Sequence, residues 1–357
     1  MIKNWNLTGI ILNRMARARS EKRKGFGVVL GVLAAALVLL VVFSVCLGKY
    51  QVTAGQSLSI LFKAATGQAQ VADDMTVNVV LRLRLPRILV SIFVGAALSV
   101  AGACYQGIFQ NPLVSPDFLG VSSGACIGAA VAILLGLSSA FISGFAFIGG
   151  IVAVLITALL PMLIKNKSNI ILVLSGIIVS SLMSSILGFI KYIADPDTQL
   201  ASITYWTMGD FSYSSTSDFI PMVLILLPPM IVLLLLSWWI DILSMGETEA
   251  KTLGANVRLI RVIVIICSTL LTAGSICFAG TIGWVGLVVP HFSRMLVGSS
   301  NRKVLPASIL IGGIFMLLVD TLTRMVGVTE MPVSIMTGIV GAPFFIWLLV
   351  KRRNEIG

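Results

Sequence analysis

Long apolar runs dominate the chain, and short polar or proline-containing segments separate them. Ten runs fit a helix that crosses a bilayer core of roughly 20 residues, although the eighth run is short. The runs cover 26–47, 88–109, 118–137, 141–164, 170–193, 219–240, 260–280, 284–297, 304–325 and 333–350. The pattern predicts an all-α, polytopic membrane protein with about ten transmembrane helices.

Composition supports this prediction and excludes most other classes. Of the 357 residues, 57% are hydrophobic and only 11% are Asp, Glu, Lys or Arg. Soluble domains carry about a quarter of charged residues, so this chain has too few to cover a soluble surface. The five cysteines lie inside or at the edge of apolar runs with no paired spacing, which indicates packing residues rather than disulfides or metal ligands. They are Cys46, Cys104, Cys126, Cys267 and Cys277.

Basic residues determine the predicted orientation. With ten spans both chain ends share one side, and most of the 25 Lys and Arg residues fall on that side. The positive-inside rule therefore predicts a multi-pass protein of the cell membrane with both termini in the cytoplasm. This anchoring accounts for the net charge of +11 without a nucleic-acid partner. The predicted organisation is a basic cytoplasmic segment (1–25), a transmembrane domain (26–351) and a cytoplasmic tail (352–357).

Several kinds of chemistry lack the residues that they need. His291 is the single histidine, and no G-x-x-x-x-G-K-[ST] loop is present. Ionisable groups are nearly missing from the spans, with Asp320 close to the end of the ninth. An ion-coupled secondary transporter usually places such groups near the midplane, and an intramembrane enzyme needs converging catalytic residues. Both alternatives are weaker than a transport subunit that takes its energy from another polypeptide.

Small residues are concentrated in the second and fifth spans. Glycines and alanines crowd the second, and a serine-rich stripe recurs at helical spacing in the fifth. Small faces permit close helix contact in lipid. The serine stripe is equally compatible with a water-filled path for a large, weakly held solute.

Two loops and one group of arginines are more elaborate than connections require. The loop at 106–120 contains two prolines, and the segment at 243–257 reads as a short amphipathic helix in which Ala250 and Gly254 form a small-residue face. On the opposite side, Arg82, Arg84 and Arg87 precede the second span. They are either snorkelling anchors or a basic face for an acidic partner.

Four stretches in order resemble one known family, the FecCD-type permeases. These are the membrane subunits of ABC importers for iron–siderophore chelates, haem and cobalamin. The stretches are RLPRILVSIFVGAALSVAGACYQGIFQNPLVSPDFLGVSSGA at 84–125, GETEAKTLGANV at 246–257, FAGTIGWVGLVVPHFSRMLVG at 278–298 and TEMPVSIMTGIVGAPFFIWLLVKR at 329–352. The resemblance implies a fold like that of the cobalamin importer permease.

The resemblance also implies an assembly. A second permease subunit, identical or different, completes the path, two ATP-binding subunits lie beneath it, and an extracytoplasmic solute-binding protein docks outside. ATP and Mg²⁺ belong to the ATP-binding subunits, so no cofactor, metal or catalytic residue is expected in this chain. The implied cargo is an iron–siderophore-type chelate, with haem or cobalamin as the alternative.

Three sets of site residues follow from the resemblance. Arg84, Arg87 and Arg324, the last in a D-x-x-x-R pattern with Asp320, are expected to pair with glutamates of the binding protein. The expected inner gate comprises Asn111, Leu113, Ser168 and Asn169. The expected contacts to the ATP-binding subunit lie in a coupling loop at about 241–259 and are Gly246, Glu249, Ala250, Leu253 and Gly254.

Overall fold

A computed structural model of the chain describes residues 5–48, 50–66, 75–164, 169–212, 214–326 and 330–356. Within these ranges the chain forms fifteen α-helices. The first eight are α1 (Trp5–Cys46), α2 (Ala54–Ala65), α3 (Met75–Asn78), α4 (Leu85–Ile108), α5 (Val121–Leu134), α6 (Ser139–Leu163), α7 (Asn169–Ile193) and α8 (Gln199–Met208). The others are α9 (Phe219–Leu235), α10 (Ser237–Met245), α11 (Glu247–Thr252), α12 (Val257–Ala279), α13 (Val285–Val297), α14 (Asn301–Met325) and α15 (Val333–Ile356).

Ten of the apolar segments correspond to the ten predicted spans. Seven helices in the described chain are long and apolar enough to cross a membrane, and three shorter apolar helices accompany them. The shorter three are Val121–Leu134, Val285–Val297 and Val333–Trp347. The predicted all-α, polytopic fold is therefore confirmed.

Helix α4 lies at the centre of the bundle and contacts α9, α12, α13 and α14. Its glycines permit this crowding. A Cβ built on Gly95 would lie 2.2 Å from the carbonyl oxygen of Gly312 in α14, and one on Gly102 would lie 1.9 Å from that of Gly286 in α13. No side chain fits at either point, so the packing role predicted for the small residues of this span is confirmed.

The serine-rich stripe of α7 has two parts with different surroundings. Ser175 and Gly176 are buried, and a Cβ on Gly176 would lie 1.9 Å from the carbonyl oxygen of Phe118 in a short 3₁₀ turn. Ser181, Ser184 and Ser185 are exposed in the single chain. The stripe therefore serves packing at one end of α7 and leaves an uncharged polar surface further along.

Candidate functional site

Five charged side chains gather at the carboxyl end of α14, and we call them the arginine cluster. The cluster consists of Arg84, Arg87, Asp320, Arg324 and Glu330. Arg84 ends a π-helical segment (Val79–Arg84) that leads into α4, and Asp320 and Arg324 belong to the last turns of α14. The fold thus brings together residues that are far apart along the chain.

Two arginines of the cluster hold the end of α1. Arg84 donates from Nη1 to the carbonyl oxygen of Val45 at 2.5 Å and from Nη2 to that of Tyr50 at 2.5 Å. Arg324 donates from Nη2 to Ser44 Oγ, also at 2.5 Å, and from Nη1 to the carbonyl oxygens of Ser44 and Leu47 at 3.5 Å. The last carbonyl groups of a helix have no partner within it and attract cations. These two guanidinium groups therefore act as caps on α1.

Gly48 makes room for the first of these caps. A Cβ at this position would lie 2.6 Å from Nη2 of Arg84, and the backbone has a φ of +154°. Only glycine satisfies both conditions without displacing the guanidinium group.

The third arginine, Arg87, lies between two carboxylates. Its Nε is 2.7 Å from Asp320 Oδ1, and its Nη1 is 2.6 Å from Glu330 Oε2. Ser212 also donates to Glu330 Oε2 at 2.6 Å. Asp320 in turn lies 3.3 Å from Arg324 Nε through its second oxygen. Asp320 is therefore the anion shared by two cations.

The cluster is largely closed to solvent. Arg84 and Arg87 are each 6% exposed, Arg324 is 9% exposed and Asp320 is fully buried. The Glu330 side chain is the accessible member at 37% exposure. Burial raises the pKa of the Glu330 carboxyl, but hydrogen bonds from Ser212 and Arg87 outweigh it and leave that pKa below its ordinary value.

The structure thus brings the three expected docking arginines together, but not as an exposed face. Each guanidinium group already has acceptors within the chain. Arg82 is exposed, in contrast to its neighbours. The resemblance already left Arg82 out of the expected set, but only the turn of the π-helical segment decides that Arg84 and Arg87 point inward. Their docking role remains a prediction.

A second candidate site lies near the opposite end of α14, where α10, Gly246 and α11 follow one another. Gly246 has a φ of +136°, and a Cβ there would lie 2.1 Å from Glu249 Oε2. It turns the chain sharply between the two helices. Glu249 and Leu253 are exposed, Leu253 at 57%. Gly254 ends the turn with a φ of +80° and has open space around it.

Ala250 does not lie on the surface that the sequence pattern predicts. It is fully buried, whereas Gly254 is exposed beyond the end of α11. The expectation of a shared small-residue face at these two positions is wrong, because α11 stops at Thr252 and its inner side packs on the rest of the chain. Of the five residues expected to contact the ATP-binding subunit, Glu249, Leu253 and Gly254 are exposed.

One ion pair fixes α11 to the following span. Arg261 of α12 donates from Nη2 to Glu247 Oε1. This bond, together with the charge of the guanidinium group, lowers the pKa of the Glu247 carboxyl.

Two of the four expected gate residues form part of a well-defined turn. The Asn111 side chain accepts a hydrogen bond from the backbone N–H of Leu113 at 2.9 Å, and Leu113 is 51% exposed. Gln110, just before them, has a φ of +52°. Ser168 lies outside the described residues, and Asn169 begins α7. The gate role stays a prediction for all four.

Sequence reasoning missed three residues that organise these sites. Glu330 and Ser212 complete the environment of Arg87, and Asp241 joins two helices at the other end of α14. Glu330 stands within the last resemblance stretch, so its charge beside an apolar span was an available signal. The other two carry no pattern that distinguishes them from ordinary loop or helix residues.

Comparison with known proteins places this architecture in context. The model of a family described as the FecCD transport family matches residues 36–351. A molybdate import system permease protein, MolB, from Haemophilus influenzae is 38% identical over 321 residues, which cover 89% of this chain and 94% of that protein. A probable iron chelatin transport system permease protein from Helicobacter pylori is 39% identical over 276 residues, covering 77% and 83%.

A solved structure is similar as well. It is described as an inward-facing conformation of a metal-chelate type ABC transporter, with 37% identity and a TM-score of 0.81. The alignment covers 90% of this chain and 98% of that one.

Proposed function

The chain belongs to the FecCD transport family of ABC transporter permeases, and from this premise we propose that it carries an iron–siderophore-type chelate across the cell membrane. An external solute-binding protein delivers the chelate. The observation that carries the proposal is the uncharged polar surface of α7, within a chain that matches the family over 36–351.

The α7 surface suits a bulky cargo. Ser181, Ser184, Ser185 and Gly188 follow one another at helical spacing and are exposed in the single chain. Hydroxyl groups offer many weak hydrogen bonds and no strong ligand. A chelate that wraps its own iron needs no metal ligand from the path. A loosely held solute also leaves readily, as transport requires.

Partners supply the energy and the selectivity in this proposal. A second permease subunit faces the α7 surface, and one of the two ATP-binding subunits docks on Glu249, Leu253 and Gly254 of this chain. ATP and Mg²⁺ are bound there and not by this chain. Both termini then lie in the cytoplasm, on the same side as α11, and the arginine cluster faces outward.

Docking of the binding protein uses the arginine cluster after a local rearrangement. Arg87 is held by Asp320 and by the half-exposed Glu330. A carboxylate of the binding protein can replace Glu330, since both offer the same charge to the same guanidinium group. Arg82 is exposed and provides the first attraction.

Molybdate is the second candidate cargo, because a relative named for molybdate import matches 89% of this chain. The two cargoes make different demands on the path. A small dianion pays a large cost to enter a low-dielectric path without a cation to meet it. The stripe has no such cation between Ser181 and Gly188, and Lys191 lies beyond it in the last turn of α7. This difference favours the chelate.

Uptake by the reconstituted complex tests the proposal. The permease, its ATP-binding subunits and its own binding protein are placed in vesicles and offered ferric siderophores, haem, cobalamin and molybdate. ATP-dependent uptake of a ferric siderophore, and of no other solute, is the expected result. Uptake of molybdate alone overturns the cargo. Uptake by the permease alone, driven by an ion gradient, overturns the ABC mechanism.

A further inference from the structure

None of the five residues expected to contact the ATP-binding subunit lies in α10, yet this helix joins three elements at the amino end of α14. Its Asp241 accepts a hydrogen bond from the backbone N–H of Asn301 at 2.5 Å and one from Ser300 Oγ at 2.7 Å. Ser300 occupies the N-cap position of α14 and makes no capping bond through its own side chain. A carboxylate from another helix therefore caps α14.

The capping carboxylate also suits the charge at this end. The first N–H groups of a helix have no partner within it, and their dipole favours an anion. Arg302 adds a second contact, with its guanidinium carbon 5.6 Å from the centre of the Trp238 ring in α10. Helix α10 is thus attached to the start of α14 by both a polar and an aromatic contact.

The same short helix is fixed to the end of α4. The side chain of Gln110 donates to the carbonyl oxygen of Leu243 at 2.9 Å. Ile240 is fully buried against Gly107, where a Cβ would lie 2.7 Å from Ile240 Cγ2. Helix α10 therefore touches the turn that holds Asn111 and Leu113 on one side and α14 on the other.

Only Gly246 separates α10 from α11. Helix α11 contacts both α10 and α12, and the Glu247–Arg261 ion pair holds it to α12. Because a single residue joins the two helices, we expect a displacement of α11 to move α10 as well. Helix α14 then extends for 25 residues, about 37 Å at 1.5 Å per residue, to Asp320 and Arg324 at its other end.

We propose that Asp241 is a positioning residue for transport: it locks α10 to the amino end of α14 and so transmits a displacement of α11 to α14, the ninth predicted span. The inference rests on the proposed function, because the displacement originates in the ATP-binding subunits. Asp241 lies at the start of the expected coupling loop but is not one of the five residues expected to contact those subunits. In the same proposal, α14 is the element that links α10 and α11 to the arginine cluster.

The test compares transport with ATP hydrolysis in the full reconstituted complex. Three variants are used: Asp241→Ala, Asp241→Asn and Ser300→Ala. Asp197→Ala is the matched control, because Asp197 is exposed and lies outside the spans. For each variant, uptake of the solute that the wild-type complex accepts is divided by the ATP consumed. Binding-protein stimulation of ATP hydrolysis is measured in parallel and needs no knowledge of the cargo.

Asp241→Ala is expected to keep basal ATP hydrolysis, while the amount of solute moved per ATP falls about tenfold. Loss of a strong helix cap shifts the equilibrium from attached toward detached α10 and α14 by about this factor. Asp241→Asn retains uptake within about twofold, because its amide still accepts from the Asn301 N–H and can donate to Ser300 Oγ. Ser300→Ala removes one of the two bonds and falls between them. The control matches the wild type.

Two results overturn the inference. The first is Asp241→Ala with the wild-type transport ratio and the wild-type stimulation by the binding protein. The second is equal loss in Asp241→Asn and Asp241→Ala, since the amide preserves the joint. Should Asp241→Ala fail to fold, Ser300→Ala is compared with Asp241→Asn instead. Less solute moved per ATP in Ser300→Ala than in Asp241→Asn supports the inference, and equal values in the two variants overturn it. Failure of the wild-type complex to move any solute instead counts against the proposed function.

Discussion

Single residues in the arginine cluster serve structure and candidate function together. Arg84 and Arg324 cap the end of α1, while Arg87 lies between Asp320 and Glu330. Because a buried guanidinium group without acceptors is costly, these contacts stabilise the fold whatever the arginines bind later. Replacing an arginine therefore changes stability and docking at the same time. Replacing Asp320 tests stability, and replacing Glu330 tests docking.

Asp320→Asn is expected to destabilise the permease by about 3 kcal/mol, because two buried arginines lose the anion that they share. The melting temperature of the purified protein in detergent measures the effect. Asp197→Asn, at an exposed position, serves as the control and leaves the melting temperature unchanged. An Asp320→Asn variant as stable as the wild type contradicts the shared-anion arrangement.

Glu330→Gln is expected to tighten binding of the solute-binding protein by about fivefold, because a neutral amide competes less strongly for Arg87 than a carboxylate does. Affinity is measured by surface binding of the binding protein to the permease in nanodiscs. Unchanged or weaker binding contradicts the idea that Glu330 occupies the docking arginine.

The pH dependence of that affinity follows from the lowered pKa of Glu330. A carboxylate with a lowered pKa keeps its ion pair above the ordinary glutamate value of about 4.3 and loses it as the pH falls through the lowered one. Glu330 therefore stays ionised and paired with Arg87 between about pH 6 and 8, so its effect on the affinity is constant in that range. A titration of this pair within that window, followed as the difference between wild type and Glu330→Gln, contradicts the assignment.

At the scale of helices, the sequence pattern located all ten spans, but two kinds of element escaped it. Short helices such as α2 and α8 lie between spans and contain too few apolar residues to stand out. The segment that reads as one amphipathic helix at 243–257 is divided by Gly246 into α10 and α11. The spacing of apolar residues does not depend on the positive φ of one glycine, so the pattern could not predict this break.

Gly102→Ala is expected to destabilise the bundle by about 3 kcal/mol or to prevent folding, because the new Cβ meets the Gly286 backbone in α13. Gly144→Ala in α6 is the matched control, since nothing lies within 4 Å of its Cβ position. Yield and melting temperature in detergent measure both variants. Equal stability of the two would argue against close contact between α4 and α13.

At the scale of the whole molecule, α14 connects two candidate sites that the sequence presents as unrelated. Asn301 at one end meets Asp241, and Asp320 at the other end meets Arg87. Helix α4 packs along α14 through Gly95 and Gly312, where the two backbones are in close contact. The exposed surface of α7 lies apart from this pair and is left for a partner or for solute.

Ser184→Cys is expected to react with a charged, membrane-impermeant thiol reagent in the assembled complex, because the α7 surface lines a water-filled path in the proposed function. Leu182→Cys is the matched control on the same helix, exposed in the single chain but off the serine stripe. Mass spectrometry measures the labelled fraction at each site. Labelling of the control but not of Ser184→Cys contradicts the path.

The sequence by itself determined the membrane class, the number and order of the spans, and the family, because each depends on apolar length and local motifs that survive without three-dimensional context. It also named Arg84, Arg87, Arg324 and Gly246 as residues of interest. Only the tertiary structure decided that those arginines are buried, that Ala250 is packed inside, and that Asp241 and Glu330 matter. Those outcomes depend on which distant side chains share a neighbourhood, and no local pattern encodes such contacts.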